Sequence, residues 1–214
     1  MTEPANNTAP LDDVRALVHK QIPLDTAPGE RVRAALLTMG REGDFGRLGE
    51  AAEWLANWQH RYPPRIEKPV LAIFAGSHGL VDEGVSLSTN TDTRAHVDAL
   101  REGRAPLSAI ATQAGANIRV FELALDNPTP SIAETAAMSE RECAATIAFG
   151  FEAIEDQPDL LALAVSGAGV GTAAAAVACV LYGGSPDYWV RPSNLTPPAL
   201  SKRRVELVSR ALTL

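Results

Sequence analysis

At 214 residues the chain is long enough for one domain with a sizeable core, or one domain and a small helical annex. A hydrophobic fraction of 46% against 21% charged residues excludes wholesale disorder. A formal net charge of −7 disfavours non-specific nucleic-acid binding, which needs a basic face, and points to small molecules or proteins as partners.

The opening MTEPANNTAPLDD carries neither a basic region nor an apolar core, so no secretory leader is predicted and the expected compartment is the cytoplasm. The first ten or so residues read as frayed. Leu11–Lys20 and Gly29–Met39 read as two short helices. Leu48–His60 is a clearer helix, with Leu48, Ala52, Leu55 and Trp58 falling on one face at spacings of three and four. Tyr62-Pro63-Pro64 ends it. The predicted division is therefore an N-terminal helical segment over 1–62 and an α/β domain over 63–214.

Beyond that turn the pattern alternates strand and helix. Pro69–Ala75 (PVLAIFA) is an apolar run of strand length, followed by Gly76-Ser77-His78-Gly79. Thr93–Glu102 reads as a helix, and a second runs from Pro106 to about Gln113. Asn117–Leu125 reads as the next strand. Ser139 with Glu142 three residues on forms a capping-box pattern. The helix it opens carries Cys143, Ile147, Phe151 and Ile154 along one face. Asp159–Val165 reads as a third buried strand and Thr172–Tyr182 as its helix. Gly183–Pro198 reads as a loop, and Ala199–Leu212 as a closing basic amphipathic helix.

Apolar strands separated by helices predict an α/β fold. Its expected centre is a mostly parallel sheet, with right-handed crossovers and both faces covered. The apolar run Leu160–Tyr182, broken by Gly167, Gly169 and Gly171, reads as strand, turn and helix rather than as a membrane span. Cys143 and Cys179 lie in apolar stretches and read as buried thiols.

In a parallel sheet, ligands bind beyond the carboxyl ends of the strands. Two such ends stand out. At Ser166-Gly167-Ala168-Gly169-Val170-Gly171-Thr172, glycines allow close backbone approach, and the N–H groups opening the helix suit a phosphate or ribose. The alternative is that these glycines only let an Ala-rich helix pack tightly. The pattern is not GxGxxG, and no acidic residue follows at the right distance, which argues against a nicotinamide-dependent oxidoreductase. At the other end, His78 is either a site residue or a hydrogen-bonded loop residue. Asp82 and Glu83 offer a possible base or are simply solvated. Lys202-Arg203-Arg204 could hold one phosphate. No HxxxH or CxxC spacing marks a metal site.

With these residues on the page, the sequence resembles the nicotinate-nucleotide:dimethylbenzimidazole phosphoribosyltransferases of cobalamin biosynthesis. The resemblance rests on AIFAGSHGLVDEGVS (72–86), VFELALDNPT (120–129), AAMSERECAATIAFGFEAI (136–154), the SGAGVGTAAAA turn and FGRLGEAAEWLANWQ (45–59). It implies a Rossmann-like large domain, a small helical domain built from both chain ends, a homodimer and no metal or other cofactor. It also implies glycosyl transfer, in which a base nitrogen attacks C1 of the ribose of nicotinate mononucleotide and nicotinate leaves. The ligands it implies are a small-molecule nucleotide and an aromatic base, with neither nucleic acid nor membrane as partner. The positions it marks for ligand contact are His78, Ser86, Gly167, Gly169, Thr172 and Arg204; no catalytic residue is assigned.

Several positions depart from the family pattern. Val165 stands where the family carries a glutamate, and Ala95 and Ala99 stand where it carries glutamine and asparagine. The stretch 189–195 replaces a GTG loop, and Arg204 replaces a lysine. Family members continue past the position of Leu214 with a segment holding their catalytic glutamate. The expectation is a chain impaired or inactive on its own. The alternative is a non-catalytic nucleotide- or base-binding protein, or the partner of a full-length paralogue.

Overall fold

In the computed structural model the described residues are 9–20, 23–41, 43–192 and 194–214. Most of the N-terminal stretch expected to fray lies outside them. Among the described residues two compact units separate, one within Met1–Pro69 together with Gln157–Leu160, the other Val70–Asp156 with Leu161–Leu214.

The first unit holds helices α1 (Asp12–His19), α2 (Ala27–Thr38) and α3 (Arg47–Gln59). The face predicted for α3 is not the one it buries. Leu48 is 67% and Trp58 54% exposed, whereas Ala56 and Asn57 are buried. The reason is a close crossing with α2. The Gly29 N–H donates to Asn57 Oδ1 at 2.7 Å, and a Cβ on Gly29 would lie 2.4 Å from that oxygen. Backbones this close select the small residues of α3, not its large apolar ones. An Arg33–Glu53 ion pair spans the same two helices.

The second unit is an α/β layer. Strands β1 (Pro69–Gly76), β2 (Asn117–Leu123) and β3 (Leu160–Ser166) form a three-stranded parallel sheet in the order β2-β1-β3. β1 and β2 pair in register from Val70 with Asn117 to Gly76 with Leu123. β1 is central, and its continuous apolar sequence is buried to match: Ile73 packs with Leu100 and Ala105 on one side, Ala72 with Phe121 and Ala153 on the other.

A short 3-10 turn (Gly79–Glu83) follows β1, and α4 (Asn90–Arg101) and α5 (Pro106–Gln113) lead to β2. α4 starts three residues before its predicted start because Thr89 and Asp92 form a capping box ahead of it. The predicted Ser139–Glu142 box caps α6 (Glu140–Glu152). α7 (Val170–Tyr182), a four-residue helix α8 (Pro186–Trp189) inside the predicted loop, and α9 (Pro198–Ala211) complete the unit. α9 buries Leu207 against Leu80 and Val85. Its Arg203 and Arg204 donate to the carbonyls of Gly84 and Val85, and Arg210 pairs with Glu83.

Three burial expectations fail. β3 is an edge strand: Leu161 and Ala164 pack inward, but Leu163 is 69% and Val165 65% exposed, so the sheet is covered on both faces at β1 but not at β3. α6 leaves Ile147, Phe151 and Ile154 open, because it meets the sheet through Ala153 at its C-terminal end. Cys143, on the same helix, is therefore only half-buried, while Cys179 is buried as expected. No helix among the described residues is long and apolar enough to cross a membrane.

Candidate functional site

β3 ends at Ser166, and the backbone turns at once into α7. Gly167 passes so close to β1 that a Cβ there would lie 2.5 Å from the Gly76 carbonyl oxygen. Gly169 has φ +78° and sits against Leu80, where a Cβ would come within 2.3 Å of the side chain. Both requirements are steric, and only glycine meets them. Tight packing therefore accounts for Gly167 and Gly169, against β1 and Leu80, whereas a Cβ on Gly171 would meet open space. Packing does not exhaust the turn, because the turn also opens onto a cavity.

That cavity measures about 420 Å³ and is lined by residues of three segments: Ser86 to Ser88 with α4, the 166–172 turn, and Arg204 of α9. The structure thus brings Ser86, Gly167, Gly169, Thr172 and Arg204 together around one space. α7 begins at Val170, two residues before its predicted start. The Val170 and Thr172 N–H groups turn back onto the Gly167 and Gly169 carbonyls. Among the described residues Gly169 and Gly171 have no such acceptor, so their N–H groups are available to an anion at the positive end of α7.

Arg204 is fixed at one edge, its Nε donating to the Val85 carbonyl at 2.7 Å. The rest of the fork remains for a ligand, a geometry suited to a phosphate. Thr93 is buried and its hydroxyl accepts from the Ala168 N–H at 2.9 Å, which ties α4 to the turn. The carboxylate at the cavity, Asp92, is occupied. It accepts from the Thr89 N–H at 2.7 Å and the Thr89 hydroxyl at 2.8 Å. These bonds, the backbone one foremost, hold its carboxyl below the usual range, so it is a fixed anion.

His78 is not part of this space. It lines a second cavity, of about 740 Å³, at the carboxyl ends of β1 and β2. Asn90 holds its backbone, accepting from the His78 N–H and donating to its carbonyl, both at 3.3 Å. The ring packs beside Gly167 and burial pushes its pKa down. Asp82 and Glu83, weighed as possible bases, line a third cavity of about 580 Å³ and do not face the glycine turn. Glu83 is held by Ser131 and Arg210.

Asp92 and His96 also line the glycine-turn cavity, and the sequence reading does not single them out. The Thr-x-x-Asp cap before a helix is the available signal for Asp92. His96, one turn further on, has no signal beyond its spacing.

Comparison with known proteins agrees with this arrangement. Residues 23–214 match the family described as Phosphoribosyltransferase. The chain is 42% identical over 207 residues to a nicotinate-nucleotide–dimethylbenzimidazole phosphoribosyltransferase of Sinorhizobium fredii, covering 96% of this chain and 61% of that protein. A protein of the same name from Methylocella silvestris is 42% identical over 211 residues, with 97% and 61% covered. Two crystal structures from Thermus thermophilus are similar. One, of CobT, is 27% identical with TM-score 0.73, covering 80% of this chain and 58% of that one. The other, of a nicotinate-nucleotide-dimethylbenzimidazole phosphoribosyltransferase, is 26% identical with TM-score 0.75, covering 89% and 62%. The chain thus spans about three fifths of the length of the curated relatives it matches.

Proposed function

The chain belongs to the nicotinate-nucleotide:dimethylbenzimidazole phosphoribosyltransferase family, and from that premise we propose that its glycine-turn cavity holds the phosphoribosyl group during transfer to a benzimidazole-type base. The observation that carries this reading is the convergence of Gly167, Gly169, Thr172 and Arg204 on one space. Free N–H groups at a helix start and a fixed guanidinium are the means by which a protein holds a phosphate without a metal.

The reaction breaks the bond between ribose C1 and the nicotinate nitrogen, forms a bond from C1 to a base nitrogen, and releases the proton of the attacking heterocycle. Ser86 stands at the cavity to orient the base, while the Thr93 hydroxyl is taken up by the Ala168 N–H and holds the turn in place. Asp92 is committed to its helix cap, so the proton acceptor this reading names within the cavity is His96. The same observation favours a second reading, a nucleotide- or base-binding protein without turnover, because no unoccupied carboxylate lines the cavity among the described residues. Pairing with a second copy goes with the first reading, and service as the partner of a full-length paralogue with the second.

The deciding experiment incubates the purified 214-residue chain with nicotinate mononucleotide and dimethylbenzimidazole and follows nicotinate and ribazole phosphate by mass. Product that scales with protein, and falls at least tenfold in His96→Gln, supports transfer. Saturable nucleotide binding without product supports the binding reading.

A further inference from the structure

The helix cap takes up one oxygen of the Asp92 carboxylate and leaves the other open. Both bonds that hold the side chain reach Oδ2, which accepts from the Thr89 N–H and from the Thr89 hydroxyl. Oδ1 accepts no hydrogen bond among the described residues, and Asp92 lines the glycine-turn cavity. The cap bonds, the backbone one foremost, favour the charged form, so the group stays ionised at neutral pH. A carboxylate in that state takes up a proton poorly but remains a strong hydrogen-bond acceptor, and it pairs only with a donor.

Its place relative to the anion-binding end of α7 is fixed by its neighbour in the chain. The buried Thr93 hydroxyl accepts from the Ala168 N–H at 2.9 Å, which ties the first turn of α4 to the loop that presents the Gly169 and Gly171 N–H groups. The Thr89–Asp92 capping box holds the carboxylate on that same turn. Phosphate donors and a carboxylate acceptor therefore line one space of about 420 Å³. Arg204 is the only arginine or lysine among the described residues that line it, and Asp92 balances that charge. The ligand that matches both ends carries one phosphate and, a few bonds away, hydroxyl donors in place of a second anion.

We propose that Asp92 is a specificity-determining residue of this cavity, whose Oδ1 accepts from a ribose hydroxyl, so that the site selects ribose 5-phosphate ligands over their deoxyribose counterparts. An acidic side chain on the ribose hydroxyls is a general means of reading that sugar at a glycine-rich strand-to-helix turn. The proposal rests on the glycine turn holding a phosphate, as proposed above, and not on turnover.

The test titrates the full chain by calorimetry with nicotinate mononucleotide, its 2′-deoxy and 3′-deoxy analogues, and inorganic phosphate. Asp92 is exposed and water competes for its oxygen, so removing the paired hydroxyl is expected to weaken binding about three- to tenfold. In Asp92→Ala, where the Thr89 hydroxyl still caps the helix, the ratio between nucleotide and analogue should fall to about twofold or less, with phosphate bound no more weakly. A variant that merely loosened the turn would weaken nucleotide, analogues and phosphate alike and leave the ratio unchanged. If Asp92→Ala does not fold, the carboxyl carbon signal of Asp92 in the wild-type chain carries the test, because it should shift on adding nucleotide and shift less with the weaker analogue. The proposal is overturned if neither analogue binds more weakly than the nucleotide, if the ratio survives in Asp92→Ala, or if the Asp92 signal does not move. Phosphate binding that is lost in Arg204→Ala upholds the glycine-turn reading whatever the analogues do, so the two failures are distinguishable. A chain that binds neither phosphate nor nucleotide overturns both.

Discussion

At Gly167 the chain has no room for a methyl group. The nearest atom to an added Cβ is a carbonyl oxygen of β1 at 2.5 Å, and a backbone atom of a central strand cannot swing aside. Gly167→Ala is expected to cost about 2 kcal/mol or more, measured by urea denaturation, and to remove phosphate binding with it. An unchanged midpoint would mean that the turn is not packed this closely. His78 makes a prediction in pH. Its folded pKa lies below the ordinary value near 6.5, so the unfolded chain binds the extra proton first. Stability is therefore full above about pH 6.5 and falls as pH drops through that value. Glu83 works in the same direction at lower pH, because its hydrogen bond from Arg210 holds it below 4.5 and its contribution is lost only as pH falls through that region. A series of melting temperatures should decline between pH 7 and 5.5, and His78→Gln should flatten the decline. Equal slopes would show that His78 is not its source. The glycine turn is legible in the sequence because its spacing carries its geometry. The separation of His78 from it is not, since it depends on the end of β1 passing close to Gly167 while His78 lines the cavity between the ends of β1 and β2.

Between elements, two glycines of the helical unit make opposite predictions. Replacing a helical glycine with alanine stabilises by about 0.5–1 kcal/mol when nothing intervenes. Gly49 on α3 meets that condition: its Cβ would sit 3.5 Å from Leu36, an ordinary contact. Gly49→Ala should raise the melting temperature. At Gly29 the same change drives a methyl into Asn57 and breaks a buried hydrogen bond, a loss of about 1–3 kcal/mol that outweighs the helical gain. Gly29→Ala should therefore lower the melting temperature, and a rise would show that α2 and α3 cross further apart. Sequence periodicity locates α3 to within a residue at each end but chooses the wrong face, because an amphipathic count weights large apolar residues and cannot see a close crossing. Caps are more readable. Ser139-x-x-Glu142 marks the start of α6, and Thr89-x-x-Asp92, given the same weight, places the start of α4 correctly.

Across the molecule as a whole, the elements expected to be buried on all sides are those left open. The apolar run through β3 and α7 reads as core because hydrophobicity without alternation carries no direction. In the structure Leu163 and Val165 on β3, and Val177, Val180 and Leu181 on α7, are exposed. On α7 they follow a three-and-four spacing, so they form one stripe, while Ala175, Ala176 and Cys179 of the same helix pack against Val190 and Val208. Contiguous apolar surface of this kind drives association in water. The purified chain is expected to show an apparent mass by light scattering that rises with protein concentration. Val177→Lys combined with Val180→Lys should reduce that rise. Because neither side chain is packed, folding stability should change by no more than about 0.5 kcal/mol per site, beyond the small helical cost of the replacement. Association that persists in the double variant would move the contact off α7 and leave the open edge of β3, with its unpaired backbone groups, as the surface to alter next.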